Sequence, residues 1–293
     1  QRALSLKAAL EQIQISVEAE ELIVGNRTAG VRYGVVFPES GSTWVDKEFE
    51  TLPTRPQDRF HVHPEDIETF RKVIKPYWEG KSLEDVLNER YGKEINEIGK
   101  VVKINQKDHA QGHICPNCKK WLAMGPAGLQ KEAKEKLKTC REDKKDFYRS
   151  VDLVMEGARN FMVRYHDLIV EMASHEADEE KKAMMLKVAE NCRNLSIRPA
   201  QTFHEAVQST WFLFVILQME SNASSFSPGR LDQHLISFYE KDLAEGKLTR
   251  QDALEIIECM WLKFNEIVYM RNSHGAKYFA GFPIGFNIAI GGQ

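Results

Sequence analysis

This chain of 293 residues has no long hydrophobic run and no large excess of positive or negative charge, and its cysteines are few. The longest apolar stretch, Trp211–Leu217, is far shorter than the ~20 residues that a transmembrane helix needs. Five cysteines, an odd number, do not form a secreted disulfide framework, and 40 basic against 43 acidic residues leave no basic footprint for nucleic acid. We expect a soluble, cytoplasmic protein in a reducing compartment, with neither nucleic acid nor a membrane as partner.

Nucleotide-binding and hydrolase motifs are absent as well. The chain contains no Walker loop, no dinucleotide glycine fingerprint and no nucleophile elbow. The segment His204-Glu205-Ala206-Val207-Gln208 is one residue short of the zincin motif, because Gln208 stands where the second histidine ligand belongs. We therefore interpret His204 as a histidine with satisfied hydrogen bonds near the start of a buried helix, and we expect no metal site.

The segment Cys115-Pro116-Asn117-Cys118 has the two-residue spacing of zinc knuckles and of thioredoxin-like redox sites. A structural zinc site needs four ligands, usually from a second such pair, and the other cysteines are isolated. A redox site of this kind needs a strand before the motif and a helix after it, which the sequence pattern does not supply. The pattern therefore disfavours both hypotheses.

Helical periodicity is the main pattern that is present. With 42% hydrophobic and 28% charged residues, the composition is that of a folded globular protein with a sizeable core. The stretch 202–219 is apolar nearly all round and should be buried, and the segment 281–292 predicts a turn followed by one short strand. Amphipathic spacing and capping residues predict helices near 2–15, 64–80, 82–92, 130–145, 147–174, 178–192, 202–219 and 249–268.

Small polar residues follow directly on the predicted buried helix, in the loop from Glu220 to Arg230. Buried hydroxyls and amides such as those of Asn222, Ser224 and Ser225 need hydrogen-bond partners. These partners are either backbone groups of a tight turn or the hydroxyls of a small substrate. His113 poses the same choice, because it lies in a segment without helical periodicity and is either a surface residue or a functional one.

Five blocks of this sequence, taken in order, resemble the pyruvate formate-lyase-like glycyl radical enzymes. Within that superfamily the chain is most similar to the pyruvate formate-lyase 2 or probable dehydratase group and to the B12-independent glycerol dehydratases. The resemblance implies an α/β fold, a ten-stranded barrel wrapped in helices. The blocks are Glu21–Thr28, Thr54–Phe60, Gly112–His113, Glu220–Gln233 and Tyr278–Pro283.

The resemblance also implies a place for residues 1–293 in the family domain. They would be the N-terminal portion of a single pyruvate formate-lyase-type domain, predominantly α-helical, with the first barrel strand or strands near the C-terminal end. Gln1 is not a natural start and Gln293 interrupts a pattern, so we expect an excerpt at both ends. The glycyl radical and the thiyl cysteine, neither of whose motifs occurs here, are then expected beyond Gln293.

The activity that the resemblance implies is a radical dehydratase, a C–O lyase that eliminates water from a small diol or hydroxylated substrate. A separate radical-SAM activating enzyme installs the glycyl radical, no cofactor is bound tightly, and relatives are commonly homodimers. Two alternatives stay open. One is a formate C-acetyltransferase that acts on pyruvate or a 2-keto acid with coenzyme A, and the other is a non-catalytic helical partner protein.

The resemblance assigns roles to four residues. His113 falls at the position whose imidazole contacts the departing hydroxyl in the glycerol dehydratases, and Ser225 falls on a substrate-binding serine. Asn222 and Ser224 belong to the same substrate-binding loop. Glycerol dehydratases have a histidine at the position of Ser224, which argues against glycerol itself as the substrate.

Overall fold

Helices dominate the computed structural model, which describes residues 1–18, 20–102, 113–221, 225–279 and 285–292. The predominantly α-helical prediction is therefore confirmed. No helix within these ranges is long and apolar enough to span a bilayer. A π-helical turn, Phe70–Ile74, joins α3 to α4. The helices are α1 (Arg2–Gln12), α2 (Thr43–Glu48), α3 (Pro64–Thr69), α4 (Lys75–Trp78), α5 (Leu83–Gly99), α6 (Cys118–Thr139), α7 (Glu142–His175), α8 (Glu179–Ile197), α9 (Phe203–Glu220), α10 (Leu231–Ala244), α11 (Arg250–Lys263) and α12 (Ser273–Phe279).

The predicted helix starts at Pro64, Ser82 and Thr249 match the structure. The predicted helix 130–145 is wrong, because α6 ends at Thr139 and α7 begins at Glu142, and the predicted stop at Gly92 is also wrong. The Ser82 hydroxyl accepts a hydrogen bond from the Asp85 N–H at the start of α5. Thr249 and Asp252 cap α11 reciprocally, each side chain accepting from the other's backbone N–H. The helix that was expected to end at Gly92 continues to Gly99, because a glycine inside a helix costs only ~1 kcal/mol and does not by itself end it.

The strands are short and form two parallel pairs within the described ranges. Strand β1 (His113–Ile114) pairs with β2 (Ser225–Phe226), and β3 (Gly229–Arg230) pairs with β4 (Ile288–Ala289). Strand β4 lies in the predicted 281–292 segment, as expected. The other three were not predicted, because two residues are too few to show an alternating pattern.

Helix α9 forms the centre of the core, as its all-round apolar sequence predicts. It packs against α1, α6, α8, α10 and α11. Trp211 stacks on Phe214 with ring centroids 5.3 Å apart, and the edge of Phe264 meets both rings. A helix surrounded in this way can supply hydrogen bonds to its neighbours only through the few polar side chains that it carries.

Two polar side chains of α9 hold an extended segment of the N-terminal region. The His204 imidazole donates from Nε2 to the Leu22 carbonyl at 2.7 Å, and burial lowers the pKa of this histidine. Gln208 bonds both backbone groups of Val24, accepting from its N–H at 2.8 Å and donating to its carbonyl at 2.7 Å. The interpretation of His204 as a satisfied structural histidine is confirmed.

The same segment is fixed further along by aromatic side chains. Trp211 lies one turn beyond Gln208 on α9, and its Nε1 donates to the Gly25 carbonyl at 2.8 Å. The Tyr165 hydroxyl on α7 accepts from the Asn26 N–H at 3.0 Å. Backbone groups that strands would satisfy in a sheet are thus satisfied here by side chains of two helices.

A buried arginine joins this segment to the end of α9. The Arg27 guanidinium donates to the carbonyls of Gln218, at 3.2 Å, and Val268, at 2.5 Å. Burial lowers the pKa of Arg27 to about 10. The C-terminal turn of α9 therefore has a fixed position relative to this segment.

We predict opposite stability effects for two glutamines of α9, both 0% exposed. Replacing Gln208→Met leaves two buried backbone groups of Val24 without partners and should cost about 1–3 kcal/mol for each group. The Gln218 amide has no partner among the described residues, so Gln218→Met should be neutral or stabilising. Urea unfolding of the full-length protein measures both. Equal destabilisation by the two variants would contradict the structural role given to Gln208.

Candidate functional site

The β1–β2 pair brings together two residues that the sequence nominates separately. His113 lies directly opposite Ser225, and Ile114 lies opposite Phe226. The pairing is extended by the Ser227 N–H, which donates to the Ile114 carbonyl at 2.9 Å. Opposite residues of a parallel pair point to the same face, so the imidazole of His113 and the hydroxyl of Ser225 share one face of the ladder.

The other face of β2 packs on the helical core. Phe226 lies against α9, beside a small recess. Thr210 also lines the recess, but its hydroxyl already donates to the Ala206 carbonyl at 2.8 Å. Because successive side chains of a strand alternate, Ser225 points away from this apolar side. The remaining lining residues of the recess are Pro116, Cys118, Leu213, Phe214, Leu217, Ser227 and Pro228.

Side-chain hydrogen bonds join the two strand pairs into one wall. The Ser227 hydroxyl, in the turn between β2 and β3, accepts from the Asn287 N–H next to β4 at 3.1 Å. Asp232, at the start of α10, accepts from the Gly291 N–H at 2.8 Å. That bond, with one from the Gln233 side chain, lowers the pKa of the Asp232 carboxyl. The strand pair that carries His113 and Ser225 is therefore connected to β4 and to α10.

The predicted site residues differ in how far the structure tests them. Ser225 is 6% exposed, whereas His113 is exposed. Asn222 and Ser224 lie outside the described residues.

The C-terminal end of α9 is held by a hydrogen bond, because Arg2 donates to the Glu220 carbonyl at 2.7 Å.

The sequence did not indicate that the side chains of Cys115 and His234 both lie beside Gly229 in β3. A Cβ atom added to Gly229 would stand 2.6 Å from Cys115 Sγ and 3.9 Å from His234 Nε2, so both side chains approach this glycine. Burial, with the nearby Arg230 charge, lowers the pKa of His234. The signal available in the sequence was the Pro228-Gly229 pair, which is typical of a turn. In the structure Gly229 has φ +75°, a conformation that favours glycine.

The context of the two-cysteine motif also differs from the expectation. Strand β1 ends at Ile114, one residue before Cys115, and helix α6 begins at Cys118. The strand and the helix that a redox motif requires are therefore both present. Within the described residues, no group of three or more His, Cys, Asp or Glu side chains is arranged to hold a metal ion.

Comparison with known proteins gives a consistent result over the whole chain. The pyruvate formate lyase-like family model matches residues 1–293. The probable dehydratase YbiW of Escherichia coli is 32% identical over 302 positions, covering 100% of this chain and 37% of the relative. An isethionate sulfite-lyase of Nitratidesulfovibrio vulgaris is 30% identical and covers 99% of this chain and 37% of its own length.

A solved structure shows the same architecture. The glycerol-bound form of the B12-independent glycerol dehydratase from Clostridium butyricum has a TM-score of 0.94 and 34% identity, covering 100% of this chain and 38% of the dehydratase. The family and the fold class expected from the five sequence blocks are therefore confirmed. The chain spans less than two-fifths of the length of these relatives.

We predict that Gly229 is required for the packing of Cys115 against β3. Gly229→Ala should suffer the ~1–2 kcal/mol of positive-φ strain and, in addition, a clash with the Cys115 sulfur. Gly246→Ala is the matched control, because Gly246 has φ +67° but nothing within 4 Å of an added Cβ. Urea unfolding should show the larger loss at Gly229, and adding Cys115→Ala should reduce that loss to the level of the control. An excess that persists without the sulfur would contradict the contact.

Proposed function

Because the chain belongs to the pyruvate formate lyase-like family, we propose that the complete protein is a glycyl-radical dehydratase. It would eliminate water from a small diol or hydroxylated substrate. In this proposal residues 1–293 are the N-terminal portion of a single domain, and they contribute one wall of the substrate pocket. The wall is the face of the β1–β2 ladder that carries His113 and Ser225.

The observation that carries the proposal is the register of β1 against β2. It sets His113 directly opposite Ser225 on one face, away from the apolar side of β2. These residues come from distant blocks of the sequence, and the family resemblance assigns each of them independently to a substrate hydroxyl. The structural similarity to a glycerol-bound dehydratase supports the same interpretation.

The two side chains suit complementary parts of a dehydration. An imidazole can act as a general acid or as a hydrogen-bond donor, so His113 can donate a proton or a hydrogen bond to a hydroxyl that leaves as water. The Ser225 hydroxyl both donates and accepts, so it can orient a neighbouring substrate hydroxyl. The initial hydrogen abstraction would belong to the thiyl cysteine that the glycyl radical generates, whereas these two residues would position the substrate and move the proton.

The substrate proposed here is not glycerol. Ser224 stands where the glycerol dehydratases have a histidine, so the loop has lost an aromatic donor and gained a smaller hydroxyl. Asn222 and Ser224 are proposed as further substrate-binding residues of this loop. A small diol or another hydroxylated molecule that makes its main contacts with His113 and Ser225 fits this exchange.

The proposed partners follow from the family chemistry. A radical-SAM activating enzyme would install the glycyl radical, at a site outside residues 1–293, and the complete protein would be a cytoplasmic homodimer. No specific observation favours the formate C-acetyltransferase alternative. Its product distinguishes it from a dehydratase in the assay that follows.

We predict that His113→Ala lowers the kcat of diol dehydration by roughly 10²–10⁴-fold, the range for loss of general acid catalysis. The glycyl radical signal in electron spin resonance should remain, because this substitution leaves the radical glycine itself unchanged. Ser225→Ala should mainly raise KM, by about 2–10-fold for one lost hydrogen bond. The measurement is aldehyde release under anaerobic conditions by the complete protein with its activating enzyme.

The matched control is His175→Ala, at an exposed histidine that ends α7, which should leave the rate unchanged. An unchanged rate in His113→Ala would remove His113 from the mechanism. Formate and an acyl-CoA released from a 2-keto acid would identify the acetyltransferase instead of a dehydratase.

A further inference from the structure

The segment Cys115–Cys118 connects the candidate site to the helical layer in a defined geometry. The Cys118 N–H donates to the Pro116 carbonyl at 2.8 Å, and Asn117 between them has φ −74° and ψ 74°, an inverse γ-turn. The Asn117 side chain then caps α6 by accepting from the Lys120 N–H at 2.9 Å. Cys115 is exposed on the strand side of this turn, and Cys118 is buried as the first residue of the helix.

Both sulfurs lie against the same short stretch of backbone. Cys118 Sγ donates to the Pro228 carbonyl at 3.5 Å, and Cys115 Sγ approaches Gly229, the next residue. The two thiols also influence each other's ionisation. Burial raises the pKa of Cys118 to about 11, and the neighbouring Cys115 thiol adds to that rise.

The other cysteines provide a contrast. Cys192 is fully buried within α8, while Cys140 and Cys259 are partly exposed and stand alone in sequence. The Cys115–Cys118 pair combines one accessible thiol with one protected thiol two residues away. This is the division that thiol–disulfide exchange uses, because the accessible thiol is attacked or attacks first and the buried one closes the disulfide.

We propose that Cys115 and Cys118 form a reversible redox-modification site that a low-molecular-weight disulfide oxidises. The Cys115 thiolate attacks one sulfur of the small disulfide, forming a mixed disulfide and releasing one thiolate. The Cys118 thiolate then attacks Cys115 Sγ, which forms the intramolecular disulfide and releases the second small thiol. Two protein thiols are oxidised, one small disulfide is reduced to two thiols, and the protons of the protein thiols pass to solvent or to the released thiolates.

Oxidation changes the support of the β1–β2 ladder. A disulfide has no S–H, so the Pro228 carbonyl loses the donor that Cys118 supplies in the reduced state. The new bond also joins the residue that follows β1 to the start of α6. Ser227 precedes Pro228, and Ile114 precedes Cys115. The hydrogen bond from the Ser227 N–H to the Ile114 carbonyl is therefore expected to weaken on oxidation.

The thiol chemistry is independent of the proposed dehydratase function. Only the effect of oxidation on turnover, through the position of His113, rests on that function. The test below therefore uses the full-length protein without activation. A failure of the dehydratase proposal leaves its outcome unaffected.

The first experiment treats the reduced full-length protein with glutathione disulfide and then alkylates the remaining thiols for peptide mass spectrometry. We expect a Cys115–Cys118 disulfide in the wild type, a stable glutathione adduct on Cys115 in Cys118→Ser, and loss of modification at Cys118 in Cys115→Ser. Cys140→Ser, at a lone and partly exposed cysteine, should behave as the wild type. A wild type that yields only mixed disulfides, or a Cys115→Ser variant still modified at Cys118, would overturn the site.

The second measurement is amide hydrogen exchange of the peptide that contains Ser227. Exchange should be faster in the oxidised protein and return to the reduced rate after treatment with dithiothreitol, and Cys115→Ser should show no such change. An oxidised wild type with unchanged exchange would overturn the coupling between the thiol pair and the ladder.

Discussion

The hydrogen bonds from α9 to the backbone of residues 22–25 are the constraint on which the rest of the structure depends. An extended segment that crosses a core without a neighbouring strand carries buried N–H and C=O groups, and each group left unpaired costs about 1–3 kcal/mol. His204, Gln208 and Trp211 lie along one face of α9 and satisfy these groups in turn. The helix can therefore be apolar nearly all round and still hold the N-terminal region in place.

Contacts at the C-terminal end of α9 connect this constraint to the candidate site. Arg27 and Arg2 donate hydrogen bonds to carbonyls of the last turn of α9, so the C-terminal end of this helix has a fixed position. Further along, Phe226 packs against α9, and strand alternation then turns Ser225 to the opposite side. The orientation of the serine that is proposed to bind substrate is thus a consequence of core packing several residues away.

Local patterns in the sequence predicted most of the long helices and several of their caps, because periodicity and capping depend on residues within one or two turns. They missed α2, α10, α12 and the first half of α6. The strands at His113 and Ser225 could not be predicted in this way, since each has only two residues and exists through pairing with a distant part of the chain. The block Glu21–Thr28 was noticed only through resemblance. Its physical reason, the set of bonds from α9, becomes visible only in three dimensions. The strand before the two-cysteine motif could not be predicted for the same reason, whereas the helix after it does have a local signal, its N-cap Asn117.

Strand pairs of this length would not persist in water on their own, because a two-stranded pair is marginal even when it is much longer. Their stability must come from groups outside the ladder. Ser227 binds the backbone beside β4, Asp232 binds Gly291, and Cys118 binds the Pro228 carbonyl. Of these three contacts, only the one from Cys118 depends on a thiol hydrogen, and oxidation to a disulfide removes that hydrogen. A wall built with such a contact is sensitive to thiol oxidation at the point where it carries His113 and Ser225.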